Sequence, residues 1–436
     1  MQRLCRVSRW AWPLLLMAML GGCATYSASR PALEASLAAG QYEQALKQLA
    51  EHPGPERDRV LHLLDRAMLQ RLAGDYGASN ASFEEAKRII DEFSTISATE
   101  TSASFLINDA TTTYVGEPFE QALLHAYAAL NYLDLGDDEA ARVEALQVDL
   151  TLQSLAEDDE GPLARDPFAR YLAGIIYERR GEWSDALISY RMAYEGYKAH
   201  ARLYPIAVPS ALKEDLLRLT ARVGLMDEHR RFREEFGVPN WQDPGLQNGE
   251  LVVLLHNGLA PIKREERAVL VPPRVPQVVS IALPRYEPRP GVVSGARVLV
   301  DGREVRTEIV EDVTAIAQHT LSGRMPAITA RALARAVTKF KITESARKED
   351  KAAGLISNVA GLLTERADTR SWLTLPAEIQ LARLRLPAGD HQVCMELLSP
   401  AGGVVETHEF AISVAKDSQT VLSRHWIPSL SSRRTP

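Results

Sequence analysis

Apolar and polar positions follow two different rhythms along this chain, and the change falls near residue 240. Before it, apolar residues recur every three or four positions, as on one side of a helix. From Glu250 onward, short apolar runs lie between turn residues, as in strands. These runs are Leu251 to His256, Gln277 to Leu283, Ala296 to Val300, Glu304 to Val310, Glu378 to Leu386, Gln392 to Leu398, Val404 to Val414 and Thr420 to Arg424. Asp301-Gly302, Pro387-Ala-Gly-Asp390 and Ser399-Pro-Ala-Gly-Gly403 supply turns between them. Residues 312–366 return to helical periodicity, with Ile328, Ala332, Ala336 and Phe340 on one stripe and a second apolar segment from Ala352 to Leu363. The pattern predicts an α+β protein: an α-solenoid over residues 32–240, then a β-sandwich-like domain over 248–436 with a helical insertion at 312–366.

The helical half repeats itself. Gly40-Gln-Tyr42-Glu-Gln-Ala45 is followed by Gly74-Asp-Tyr76-Gly-Ala-Ser79, Gly136-Asp-Asp-Glu-Ala-Ala141 and Gly181-Glu-Trp183-Ser-Asp-Ala186. Phe83 and Tyr190 extend two of the frames, Asp138 replaces the aromatic in the third, and Gly224-Leu-Met-Asp-Glu is a weak fifth copy. The frame resembles the tetratricopeptide repeat, whose period is ~34 residues. Glycine suits the turn between two antiparallel helices, the small residue lets them approach, and the aromatic fills the seam to the next pair. Spacings of 34, 62 and 45 residues make the array irregular, and the Ser- and Thr-rich stretch from Ser94 to Thr113 reads as an inserted loop. The acidic string Glu157 to Glu160 lacks the spacing of a calcium loop and reads as a solvated linker.

The first residues are an address. Arg3, Arg6 and Arg9 precede a short apolar core from Trp10 to Leu20, too short to cross a bilayer, and Leu20-Gly-Gly-Cys23 follows. That order resembles the bacterial lipobox. It implies removal of residues 1–22, lipidation of Cys23 and a tether over 23–31. Ala24, by the same resemblance, implies delivery to the outer membrane, facing the periplasm. Cys5 leaves with the signal, so Cys394, in an alternating apolar strand, is the one remaining thiol and reads as a buried core residue.

The formal charge is −7, divided unevenly: residues 23–247 carry 22 basic and 37 acidic side chains, and residues 248–436 carry 25 and 20. Arg331, Arg335 and Lys339, in a helix expected over 326–341, fall on a side of their own and form a candidate face for an anionic partner, peptidoglycan or anionic lipid. Nucleic acid does not fit a chain carrying an export signal. Metal-binding, nucleophile-elbow and phosphate-loop motifs are absent, so no catalytic residue, metal or cofactor is expected. His256-Asn257 before Gly258 reads as a polar pair capping a turn, and Ser371-Trp372 as an anchor ahead of a strand.

Three stretches carry a wider resemblance: Ala128-Ala-Leu-Asn-Tyr-Leu-Asp-Leu-Gly136, Leu254-Leu-His-Asn-Gly-Leu-Ala-Pro-Ile-Lys263, and Ala367 to Asp390 around Trp372. They resemble a family of poorly characterised, repeat-containing proteobacterial lipoproteins, often encoded beside lipoproteins that activate penicillin-binding proteins. The resemblance implies a cell-envelope role and brings no catalytic residues. The expectation is a non-enzymatic scaffold whose repeats hold an envelope protein, in wall synthesis or export of surface polymer. The alternatives are a carrier or sensor for an anionic glycan or lipid, and an envelope hydrolase of unfamiliar type.

Overall fold

A computed structural model describes Tyr26 and residues 30–97, 112–158, 165–243, 249–270, 279–289, 291–349 and 366–428. The chain is α+β, helical first and sheet-rich afterwards. Among the described residues five helical hairpins follow one another: α1 (Pro31–Ala38) with α2 (Tyr42–Glu51), α3 (Arg59–Leu72) with α4 (Tyr76–Ser97), α5 (Pro118–Asp134) with α6 (Asp138–Asp158), α7 (Pro167–Arg179) with α8 (Trp183–His200), and α9 (Ser210–Arg222) with α10 (Met226–Glu235). Each hairpin turns on a glycine of the repeated frame, Gly40, Gly74, Gly136, Gly181 or Gly224, at φ between 68° and 83°. A side chain there would be strained, which is why this position repeats as glycine. The fifth copy therefore forms a hairpin like the others, although its sequence signal is weak. Helix α4 runs to Ser97, into the stretch expected to be a loop, and residues 98–111 lie outside the described residues.

Close packing explains the small residues. Ala45, Ala141 and Ala186 are buried without exposed surface, as are Phe83 and Tyr190. Trp183 takes the guanidinium of Arg222, from the next hairpin, 3.7 Å above its ring. Where Asp138 replaces the aromatic, the seam is closed by a 2.8 Å ion pair with Arg179.

The second half begins at β1 (Gly249–Asn257) and continues through β2 (Ile262–Leu270), β3 (Val279–Glu287), β4 (Gly295–Val300), β5 (Arg303–Arg306), β6 (Glu308–Glu311), helix α11 (Val313–Glu349), β7 (Glu378–Leu386), β8 (Gly389–Leu398), β9 (Val404–Val414) and β10 (Gln419–Trp426). Among the described residues, two four-stranded sheets, ordered β10-β1-β7-β6 and β5-β4-β8-β9, face each other, and β2 pairs with β3 apart from them. Strand β10 runs parallel to β1, and the other pairs among the described residues are antiparallel. Leu251, Val253 and Leu255 of β1 meet Val298, Val393 and Met395 in the sandwich core. The opposite face of the same strand, with Val252 and Leu254, joins the largest apolar cluster, which also holds Phe83, Tyr127, Tyr171 and Leu216 of the hairpins. Helices, first sheet and second sheet thus form three layers, with β1 buried on both faces. Strand β2 went unread in the sequence, and the expected strand over Glu304 to Val310 is two short strands broken at Thr307. The second insertion helix, at 352–363, lies outside the described residues.

Gly174 of α7 tests the packing. A Cβ there would come within 2.4 Å of the Tyr190 ring. Gly→Ala in an ordinary helix interior stabilises by about 0.5–1 kcal/mol. Here the clash reverses the sign, and Gly174→Ala should cost about 1–3 kcal/mol in urea unfolding. A more stable variant would show that the two helices are further apart than described.

Candidate functional site

The face of a repeat array made by its first helices is where such arrays usually offer binding surface. In this protein the chain's own sheet occupies it. Ile379, Leu381, Arg383 and Arg385 alternate along β7. The two apolar members join the large cluster shared with the hairpins, while Ala382 and Leu386 from the other face belong to the sandwich core. Arg383 enters the array and pairs with Asp215 of α9 and with Glu250 of β1; Glu178 of α7 lies 3.7 Å away. Tyr171 donates to Asp215 at 2.9 Å and Tyr190 to Glu178 at 2.7 Å, and Arg218 bridges the two carboxylates. Burial alone would raise Glu178, but Arg218 and Arg383 outweigh it and hold this carboxyl low, at about 2. Removing one member of such a group leaves buried charge without its counterpart.

A second contact is centred on Trp372. Its ring lies edge-on to Phe83 and Tyr127, at centroid distances of 6.0 and 6.2 Å. Its backbone N–H donates to Glu120 at 2.9 Å, and Thr374 donates its N–H and hydroxyl to Asp65. Trp372, expected to anchor a helix to the following strand, is instead buried against the helical array, and the helix expected before it lies outside the described residues.

Between these contacts lies a histidine pair. The rings of His256 and His425 stack at 4.2 Å, and Tyr127 lies against both. His256 bonds Tyr127 Oη at 3.0 Å through Nδ1 and Ser423 Oγ at 2.9 Å through Nε2. Arg71 of α3 donates to Ser423 Oγ at 2.8 Å, to Asn131 at 2.5 Å and to His425 Nε2 at 3.3 Å. Serine beside histidine has the spacing of a nucleophile and its base. This Ser423 is buried in the seam, where its oxygen already accepts from a guanidinium. Asn257, read as the other half of a capping pair, donates to Val293 O and Glu378.

A cavity of about 200 Å³ opens at the far end of the seam, between the start of α9 and strands β5, β6 and β7. Its charged lining is largely engaged with itself: Glu308 accepts from the Ser210 N–H and hydroxyl, and Asp215 and Glu250 hold Arg383. Among the described residues no group of three or more His, Cys, Asp or Glu could hold a metal ion.

The expected basic face looks different in three dimensions. Arg335 is only 9% exposed and flanks Ala336, which packs with Ala332 on Ile281 of β3. Arg331 is half-buried, and the side chain of Lys339 lies outside the described residues. The β2–β3 hairpin, of which only β3 was expected, covers this part of α11. Arg324, further back on the helix, reaches Glu117 at the head of α5, as does Lys263. Cys394 is half-buried rather than buried; desolvation, then Glu396 and Glu409, raise its thiol pKa. Cys23 lies outside the described residues. The chain matches no protein-family model and no curated protein.

The outer helices are less covered. Val143, Leu146 and Leu150 follow one face of α6 and are 48%, 44% and 50% exposed. Ile188 and Met192 on α8 are as open. Arg170 of α7 lies between the two helices, bonded to Asp149 of α6 and to Met192 Sδ at 3.1 Å.

Both seam histidines are held well below their usual pKa, first by desolvation; His425 is further lowered by its partner ring and both by Arg71. They are neutral in the fold and take up protons on unfolding, so their contribution is complete above about pH 6.5 and lost as pH falls below it, by about 1.4 kcal/mol per pH unit for each group. Fully buried Glu311, raised by burial and then by Asp166 and Asp312, acts in the opposite sense as pH rises. Comparing wild type with His256→Gln/His425→Gln isolates the histidines. Between pH 7.5 and 5.5 the wild type should lose more unfolding free energy than the double variant, and parallel curves would refute the assignment.

Proposed function

We propose that this chain is a non-enzymatic envelope lipoprotein, held to the outer membrane through Cys23, that docks a protein partner on the outer helices of its array. The observation that carries the reading is the pairing of a filled inner face with an open apolar outer one. Val143, Leu146 and Leu150 on α6, with Ile188 and Met192 on α8, offer apolar contact. The adjoining ion pairs, Arg142 with Glu182 and Arg180 with Glu139, provide a polar rim. Burial of Arg335 speaks against the anionic-ligand alternative built on helix 326–341.

Photocrosslinking residues placed at Leu146 and Ile188 should yield adducts with envelope proteins in cells, and one placed at buried Tyr171 should not. With the crosslinker at Ile188, Leu146→Glu/Met192→Glu, at two exposed positions, should lower adduct yield at least tenfold with an unchanged melting temperature. A folded variant that crosslinks as well as wild type would move the partner to another surface.

A further inference from the structure

Residues 23–31 read as a tether in the sequence, but the structure fixes the chain only three residues beyond Cys23. Tyr26 is 3% exposed and belongs to the large core cluster. Its hydroxyl donates to Asp65 Oδ2 at 2.8 Å, and the Arg30 guanidinium lies 4.2 Å over its ring. Arg30 is itself buried and reaches Pro53 O at 3.5 Å. Asp65 in turn holds Thr374 of the sheet half, so the anchor point belongs to the seam that joins the two halves.

Three residues span at most about 10 Å. The headgroup layer on each side of a bilayer is about 5–8 Å deep. A lipidated Cys23 therefore leaves almost no free length. We propose that the protein lies directly against the lipid headgroups with one fixed face, the one carrying residues 52–57, beside the point where the leash leaves the fold. His52, Pro53, Gly54, Pro55, Glu56 and Arg57 are all exposed, and Arg30 ties this loop to the anchor. The inference rests on acylation of Cys23. It turns a lipid that merely retains the protein into one that sets its orientation, and so decides which surfaces a partner in the periplasm meets.

The test uses full-length lipidated protein carrying Cys394→Ser, bound to phosphatidylethanolamine–phosphatidylglycerol vesicles that include a nickel-chelating lipid. A nitroxide is attached at Glu56→Cys or, three hairpins further along, at Met226→Cys. Nickel at the headgroups should relax the first label several-fold more than the second. A ten-residue Gly-Ser insertion after Thr25 leaves every described contact in place and should abolish that difference, and Tyr26→Ala should reduce it. Equal relaxation at the two positions, or a difference that survives the insertion, would overturn the fixed orientation. Mass analysis of the N-terminal peptide separates the two levels: a bare Cys23 overturns the lipid anchor itself, whereas an acylated Cys23 with equal relaxation overturns the orientation alone.

Discussion

The structure depends on burying charge and aromatic surface between the helical hairpins and the first sheet. Arg383 on one side and Asp215 with Glu178 on the other would each be costly to bury alone. Together they satisfy one another only when the two halves meet in one register. Trp372 acts in the same way by packing, since Phe83 and Tyr127 come from successive hairpins and their spacing must match the indole. Apolar burial supplies most of the drive for this contact, and the polar bonds select its geometry.

This arrangement changes what the repeats do. An array of helical hairpins can hold another molecule on the surface of its first helices. Here that surface holds β1, β7 and β10 of the same chain, and the array covers one side of the sandwich. Contact with anything else is left to the surfaces the sheet does not cover, among them the outer helices, the ends of the array and the open face of β9. The reading as a docking protein then rests on α6 and α8, not on the inner surface to which the repeat pattern first directs attention.

Much of the fold was legible because it is local. Glycine at 40, 74, 136 and 181 marks backbone turns that few other residues tolerate, and the period-two runs at Glu378 to Leu386 and Val404 to Val414 coincide with strands. Strand β2 was hidden because Lys263-Arg-Glu-Glu-Arg267 looks like solvated loop, and only pairing with β3 shows it to be a strand. The seam was hidden for a different reason. Arg383 and Arg385 on an alternating strand look like the wet face of a half-buried sheet, and no short-range pattern shows that Asp215, 168 residues earlier, waits opposite. The basic stripe on α11 misled in the same way, since helical spacing places Arg335 on a side but cannot say what packs there.

Strand β10 closes the inner sheet as the partner of β1, and it brings Ser423 and His425 to Arg71. Residues of β10 therefore complete a contact that begins with the third helix. During synthesis the hairpins are made long before β10, and the part of their surface around Arg71 and Tyr127 stays wet until that strand arrives. Without β10 that patch would lie open although β1 and β7 still cover the helices beside it, so this one strand works as a clasp between the third helix and the sheet.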